Sequence, residues 1–395
     1  MTMQETDIQG NILNPFARPY AKYLFVQFTA KPSVARARLH KLLNQMVTSA
    51  AKQAEVTAGW RANGKKRSAQ TVGMFGVSHQ GLLKLERTAH APLAPELGLE
   101  HFQAGMRQPQ LPLWEPEADR WQGEYRHERL DAFLLLCDDD QDRLELTATA
   151  AKTQLANFAR VTVEETGSAI GALGNAHEPF GFRDGVSGIP DPTSVFVPEP
   201  AAAGGFGCYA TFAKFAQHVE KFRQTAEAIE ALAKSQGLAL TADQVGALAV
   251  GRQRDGTPLA PSGPNGINDF TFKDVSASTC PFHAHIRAVN PRDGLPSFEL
   301  IRRGMPYPAC GERGPGLLFL SFQRSPMEFL GMYYRARLKS DPILAQSSQW
   351  AFGPAGGQRW PAGGQEIGYP MTDLTTLLGG EYFYMPSMNF ISKLA

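Results

Sequence analysis

Three segments of the chain carry side chains that could do chemistry together. Asp184 stands in the stretch 177–185, His285 lies in the apolar segment 280–287, and Arg302 follows an isoleucine in a third segment. An imidazole can hold a haem iron from one side, while a carboxylate and a guanidinium can act on peroxide from the other. These residue types are therefore the set that haem-dependent peroxide chemistry requires.

The proposed proton chemistry belongs to Asp184 and Arg302. A carboxylate takes the proton of the iron-bound peroxide oxygen and delivers it to the outer oxygen, so that water leaves and a ferryl intermediate remains. Arg302 would stabilise the charge on the departing oxygen and favour ionised Asp184, which predicts peroxide reactivity down to low pH. The alternative for Asp184 is an ordinary Asp-Gly turn residue.

The histidines of the second segment leave more than one interpretation open. In an extended segment, His283 and His285 would share a face, and that arrangement also admits a zinc site. A third interpretation leaves both as ordinary polar residues. The residues alone do not decide between haem, another metal and a structural role.

Composition excludes several functional classes. Lysine and arginine number 39 against 38 acidic residues, and a formal charge of +1 gives no reason to expect nucleic acid or an anionic membrane as a partner. No apolar run reaches the ~18 residues of a membrane span. The polar N-terminus lacks the pattern of an export signal, so we expect a soluble cytoplasmic protein. The four separated cysteines predict no disulfide framework.

Hydrophobic patterns predict two α+β halves, each with antiparallel strands and helices on one face. Strands are expected at 23–28, 71–77, 131–137, 159–165, 207–212, 298–303, 317–322 and 381–385. Helices are expected at 34–54, 78–85, 140–155, 213–235 and 326–338, the second of them capped by Ser78. The proline- and glycine-rich stretches 187–207 and 251–267 are predicted connections.

Several landmarks together resemble the dye-decolourising peroxidase family. They are the opening segment 7–13, the Gly-x-x-Asp-Gly motif at 181–185, the loop 250–259, the segment 280–292 and the closing strand 380–387. The resemblance implies duplicated ferredoxin-like modules of the dimeric α+β barrel superfamily. One module, 1–190, would carry the distal aspartate loop, and the other, 205–395, would bind one haem b per chain.

The resemblance also assigns roles to individual residues. His285 matches the axial ligand of iron, while Asp184 and Arg302 match the distal catalytic pair. Asp341 matches the acid that holds the axial histidine, although a helix cap before Pro342 is the alternative. Further cofactor contacts fall on Gly181, Phe182, Gly185, Leu317 and Phe319. For Leu317 and Phe319, which alternate on one strand, simple core packing is equally compatible with the sequence.

The function implied is a haem b peroxidase that reduces hydrogen peroxide and oxidises phenolic or dye-type aromatic donors. A haem-handling protein with incidental peroxidase activity is the alternative, and a non-haem metalloprotein using His283 and His285 is a third hypothesis. A homo-oligomer is left open. Bulky donors would need electron transfer through surface aromatics, for which the sequence offers Tyr333, Tyr334, Trp350, Trp360 and Tyr369 without singling one out.

Two departures from the family pattern stand out. The run from Gly185 to Pro190 is slightly longer than usual, which affects the shape of the loop. Arg302 is followed by Arg303 and Gly304 and not by the Asp-Asn of compact bacterial members. The second departure places the chain nearer the longer subclass.

Overall fold

The fold is that of a computed structural model, and each statement below concerns the part of the chain that it describes. The described residues are 3–62, 64, 70–91, 97–107, 118–172, 174–186, 191–200, 204–264, 266–276, 278–281, 284–292, 300–309, 314–337 and 374–395. The predictions for His283, Asp341, Trp350, Trp360 and Tyr369 lie outside these residues.

The first half of the chain builds an antiparallel sheet of four strands. Its elements are β1 (Tyr20–Phe28), α1 (Pro32–Met46), α2 (Ala50–Ala62), β2 (Val72–Val77), α3 (His79–Lys84), α4 (Leu97–Ala104), α5 (Gly123–His127), β3 (Ala132–Asp138), α6 (Gln141–Leu155) and β4 (Ala159–Ser168). The strands lie in the order β4-β1-β3-β2. β3 lies between β1 and β2 and is buried along its whole length, as its uninterrupted apolar run predicts.

A local sequence signal correctly positions the start of α3, whereas the first predicted helix is too long. The Ser78 side chain accepts a hydrogen bond from the Gly81 amide at the start of α3, as predicted. The single helix predicted over 34–54 is wrong, because α1 ends at Met46 and α2 begins at Ala50. Between them, the Thr48 amide donates to Gly73 O of β2 at 2.9 Å and its carbonyl accepts from the Gly10 amide. These tertiary bonds draw the backbone out of the helix.

The second half repeats the same strand order. Its elements are β5 (Val197–Pro198), β6 (Phe206–Gln217), α7 (Val219–Ser235), α8 (Ala242–Val250), α9 (His285–Val289), β7 (Ile301–Arg302), β8 (Met305–Tyr307), β9 (Gly316–Gln323), α10 (Pro326–Arg337), β10 (Thr375–Met385) and α11 (Met388–Ser392). The main strands lie in the order β10-β6-β9-β7. Each half therefore has its fourth strand beside its first and its third beside its second, which is the ferredoxin-like order.

One predicted boundary in this half is wrong. A helix was expected from Ala213, but β6 continues to Gln217 and α7 starts only at Val219. Residues 213–217 pair with β9 on one side and β10 on the other, so their backbone groups are satisfied in the sheet. The helical spacing of Phe215 with the apolar residues of α7 is therefore misleading.

The two halves join into one sheet that curls into a barrel. Val77 of β2 pairs with Tyr384 of β10. At the other edge, a Cβ on Gly167 of β4 would lie 2.9 Å from Met305 Cγ of β8. Aromatic rings fill the interior, where the Phe25 and Phe212 ring centroids are 4.6 Å apart. The predicted fold of duplicated ferredoxin-like modules is confirmed, whereas the module limits 1–190 and 205–395 stay a prediction.

A buried ion pair links the two halves inside the barrel. Lys214 Nζ of β6 lies 2.6 Å from Glu165 Oε1 of β4. Tyr125 donates its hydroxyl to the same oxygen at 2.8 Å. Lys214 is 4% exposed and Glu165 9% exposed, so each charge depends on its partner for the solvation that water would otherwise supply.

Replacing Lys214 by methionine is expected to lower the free energy of unfolding by about 3–5 kcal/mol, because it leaves the Glu165 carboxylate inside the barrel without the charge of Lys214. Urea denaturation measures the change. Lys152→Met is the matched control, since Lys152 pairs with Glu164 at 3.0 Å on the surface and should contribute less than about 1 kcal/mol. Similar losses of unfolding free energy in both variants would show that the buried pair stabilises the fold no more than the surface pair does.

The helices cover the outside of the sheet. α10 packs over β6 and β9, with the Phe329 ring 5.6 Å from Phe319 and the Tyr333 ring 6.2 Å from Phe215. Phe215 and Phe319 thus lie on the outer face of the sheet, opposite the barrel interior that holds Phe212. None of the helices in the described ranges combines the length and apolarity needed to span a bilayer.

Candidate active site

The loop that carries Asp184 is held by a half-buried carboxylate at its base. Glu178 accepts hydrogen bonds from the amides of Phe180 and Phe182 at 3.0 and 2.9 Å. It also accepts one from Gln217 Nε2, at the end of β6, at 2.7 Å. Burial raises the pKa of Glu178 despite these three donors. The loop is therefore fastened to the second half of the chain.

Two glycines of the loop adopt backbone conformations that other residues avoid. Gly181 has φ of +91°, and a Cβ there would lie 2.6 Å from Arg254 Nη1. Gly185 has φ of +73°, with no atom within 4 Å of the place where its Cβ would be. The backbone at Gly185 is therefore open to approach by another group, in line with the predicted cofactor contact.

The Phe182 side chain packs away from this opening, and its assignment as a cofactor contact stays a prediction. Its side chain is 5% exposed and packs in a cluster with Phe222 of α7 and Val245 and Leu248 of α8. The side chain thus attaches the loop to α7 and α8. Apolarity next to the Gly-x-x-Asp-Gly aspartate did not reveal which way the ring would point.

Asp184 and Arg302 lie within electrostatic reach of each other. Burial raises the pKa of Asp184, while the Gly185 amide, at 2.7 Å, and the Arg302 charge act in the opposite direction. Burial lowers the pKa of Arg302, and Asp184 opposes that shift. Both side chains are crowded by protein yet keep solvent-accessible surface, as do side chains that line a concavity. The Arg302 charge therefore lowers the pKa of Asp184, as expected, but the effect of burial is larger and the net shift is upward.

Arg302 shares a face of the sheet with the two predicted wall residues. Arg302 pairs with Ser321 across β7 and β9, and Phe319 and Leu317 follow at two-residue steps along β9. Phe319 is 8% exposed and packs against Phe215 and Phe329, whereas Leu317 is half-buried. The side chains beside Arg302 are thus apolar, and Leu317 is the more accessible of the two.

Two further arginines surround the same place. The charges of Arg292 and Arg302 both lower the pKa of Arg252, after burial, to about 10. Arg252 and Arg292 donate to the Asn268 Oδ1 atom at 3.0 and 2.9 Å and lie over the Phe270 ring. Three guanidinium groups therefore give this region an excess of positive charge.

The segment 251–258 connects the Asp184 loop to the helix of His285. On one side, Arg254 Nη1 donates to Phe180 O at 2.9 Å and Arg254 O accepts from the Arg183 amide at 2.8 Å. On the other, a Cβ on Gly251 would lie 2.5 Å from Ile286 Cγ1. The loop 250–259, one of the landmarks of the resemblance, thus contacts both elements.

His285 is the first residue of α9, and its side chain is exposed. The extended segment in which His283 and His285 would share a face does not therefore extend to His285. The Arg287 side chain donates to Cys280 O at 2.5 Å and to Val275 O at 3.0 Å, which holds this short helix in place. Within the described ranges, no group of three histidine, cysteine or acidic side chains could hold a metal ion.

Sequence reasoning gave no role to several residues that shape the site. Arg252 and Arg292 stood in segments quoted as landmarks, and Glu178 stood in the stretch 177–185, but none of the three was given a role. The signal available was a charged residue inside a segment rich in glycine, proline and apolar residues. Such residues need a buried partner, and the partner is invisible without the fold.

Two protein-family models match the sequence of the chain. The model described as "DyP dimeric alpha+beta barrel domain" matches residues 7–169, and "Dyp-type peroxidase, C-terminal" matches residues 176–348. Among curated proteins, the multifunctional dye peroxidase DyP2 of an Amycolatopsis species is 30% identical over 98% of this chain and 95% of its own length.

Solved structures agree with these matches. A DyP-type peroxidase of an Anabaena species superposes with a TM-score of 0.83 at 27% identity, covering 99% of this chain and 94% of that one. The Amycolatopsis DyP2 structure gives 0.79 at 26% identity, covering 98% and 96%. A dye-decolorizing peroxidase in complex with 2,6-dimethoxyphenol shares the fold, with a TM-score of 0.77 at 22% identity over 99% of both chains.

Proposed function

Because the chain belongs to the dye-decolourising peroxidase family, whose members depend on haem, we propose that Asp184, Arg302 and His285 form its active site. The enzyme oxidises phenolic or dye-type aromatic donors with hydrogen peroxide. The observation that supports the site assignment is the electrostatic pairing of Asp184 with Arg302, both of which remain accessible to solvent. One haem b per chain is the proposed cofactor.

The side chains present suit a haem group. His285 offers an exposed imidazole, the ligand type that peroxidases use for iron. Leu317 provides an accessible apolar surface, and the positive charge of Arg252 and Arg292 suits the carboxylates that haem carries. When bound, haem supplies an iron centre that accepts peroxide and stores its oxidising equivalents.

Asp184 is proposed to move the proton. As a carboxylate it accepts the proton of one peroxide oxygen and returns it to the other, so that the O–O bond breaks and water leaves. The bond from the Gly185 amide to Asp184 Oδ1 orients the group and leaves Oδ2 for this transfer. Without such a base, peroxide would have to lose its proton to water.

Arg302 is proposed to stabilise the departing oxygen. A guanidinium keeps its charge and donates hydrogen bonds to negative charge that develops as the O–O bond breaks. Apolar neighbours such as Leu317 limit the bulk water that would screen this charge, which strengthens the interaction. The Arg302 cation also holds the pKa of Asp184 below the level that burial alone would set.

The test is oxidation of 2,6-dimethoxyphenol by the full chain reconstituted with haem. Turnover that requires both haem and hydrogen peroxide, and that exceeds the turnover with free haemin, supports the proposal. Asp191→Asn is the matched control for Asp184→Asn, since Asp191 is an exposed residue that caps a turn. Tight haem binding without peroxide-dependent turnover would instead favour the haem-handling alternative.

A further inference from the structure

The residue after Arg302 makes unusual contacts with the start of the chain. Arg303 Nε donates to Asn11 O at 2.7 Å, and Arg303 Nη2 donates to Ile12 O and Leu13 O at 2.9 and 3.3 Å. Its Nη1 donates to Arg302 O at 2.9 Å. Three successive carbonyls, those of Asn11, Ile12 and Leu13, thus form a carbonyl cradle for one guanidinium.

The carbonyl cradle is held rigidly by its own contacts. Asn11 has φ of +69°, and its side-chain oxygen accepts from the Phe16 amide at 2.9 Å. The backbone amide of Asn11 donates to Gln53 Oε1 at 2.7 Å, and Ile12 is buried in the main core. The opening segment 7–13 therefore presents its carbonyls in a fixed direction.

The charge of Arg303 is expensive to keep where it lies. Burial lowers the pKa of Arg303 to about 10, so the side chain is still charged at neutral pH. Across the described residues, no carboxylate forms an ion pair with it, and the carbonyls are its counterpart. A neutral side chain would avoid this desolvation cost, which points to a role for the contact itself.

The strand that Arg303 follows is too short to be held firmly by its own ladder. β7 has only Ile301 and Arg302, paired with Phe322 and Ser321 of β9. The Arg303 amide adds one bond, to Leu320 O at 2.7 Å. The guanidinium then fastens the other side of the same segment to the carbonyl cradle.

We propose that Arg303 is a positioning residue, which anchors β7 to the carbonyl cradle and so fixes Arg302 beside Asp184. The opening segment 7–13, about 290 residues away in sequence, becomes part of the active-site framework. This inference rests on the proposed role of Arg302. It gives a purpose to the Arg303-Gly304 sequence that departs from the Asp-Asn of compact family members.

The test compares Arg303→Gln with Arg18→Gln in the haem-loaded full chain. Arg18 is the matched control, because its side chain is buried and its guanidinium also binds backbone carbonyls, those of Phe16 and Ala17, away from β7. Both variants are expected to unfold at lower urea concentration. Only Arg303→Gln is expected to slow the second-order reaction with peroxide, by roughly ten- to a hundred-fold, as a misplaced catalytic group does.

Three readouts separate positioning from general loosening. Among the described residues, the charged groups that act on Asp184 are Arg302 of β7 and Glu178 of its own loop. Displacing Arg302 should therefore move the acid limb of the rate to higher pH. In an Arg302→Leu background, Arg303→Gln should then change neither rate nor limb. Hydrogen exchange at the backbone amide of residue 303 should be faster in Arg303→Gln and stay slow in Arg18→Gln.

Additive effects of Arg303→Gln and Arg302→Leu, or an unchanged pH profile, would overturn the inference. Arg303→Lys serves if the glutamine variant does not fold, since a single ammonium keeps the charge but cannot reach three carbonyls with a planar fork. It should show a smaller shift in the same direction, and a wild-type profile would also overturn the inference. A wild-type protein that fails to react with peroxide would instead remove the proposed function, while hydrogen exchange would still test the anchor.

Discussion

Asp184→Asn slows the reaction of the haem-loaded protein with hydrogen peroxide by about 10²–10⁴-fold. Asparagine has the size of aspartate and can still accept the bond that the Gly185 amide donates at 2.7 Å. It cannot accept a proton at neutral pH, so the loop keeps its shape and loses its base. Stopped-flow absorption at the haem band measures the second-order rate constant.

Asp191→Asn controls for the substitution itself, because that aspartate caps an exposed turn and asparagine caps equally well. Its rate constant should match that of the unmodified protein. The resting absorption spectrum should be unchanged in both variants. A normal rate in Asp184→Asn would exclude this aspartate as the base.

Arg302→Leu is expected to lower the same rate constant by about 10²–10³-fold, because it removes a hydrogen-bond donor aimed at developing negative charge. The variant also changes the pH profile. Asp184 acts as a base only when ionised, so the rate falls as pH drops through its pKa. Arg302 lowers that pKa and burial raises it, so removing the cation moves the acid limb to higher pH.

The net direction matters for the wild-type profile as well. Burial outweighs Arg302, so the pKa of Asp184 lies above its ordinary value and activity is lost at a higher pH than the charge pairing alone suggests. Rate constants measured across the acid range locate the acid limb of the wild type and that of Arg302→Leu. Arg160→Leu, an exposed arginine on β4, should leave rate and limb alone. A limb that stays in place in Arg302→Leu would contradict the pairing.

Much of the fold was accessible from sequence because its strands are strongly patterned. The buried run at β3 and the cap at Ser78 act locally, so hydrophobicity and capping preferences identified them. The ferredoxin-like order came from the family resemblance and from the alternation of strands and helices. Asp184 and Arg302 were selected as candidates because a titratable residue and a cation stood in segments otherwise rich in glycine or apolar residues, and their roles stay a prediction.

What the sequence hid depends on contacts between distant segments. β6 extends to Gln217 because β9 and β10 pair with it, although the local spacing is helical. His285 begins a helix because Arg287 binds the carbonyls of Cys280 and Val275. Phe182 turns toward α7 and α8, which lie beyond its own segment. The partners of Arg303 are nearly 300 residues away, and no local pattern could have indicated them.

The central claim is that one haem is held by His285 and faced by Asp184 and Arg302. The most direct test is titration of the purified full chain with haemin, followed at the Soret band, alongside His285→Ala and the control His40→Ala, a half-buried histidine on α1. Saturation at one haem per chain is expected in the wild type and His40→Ala, with the band lost or strongly shifted in His285→Ala. An identical spectrum and affinity in His285→Ala would contradict the account.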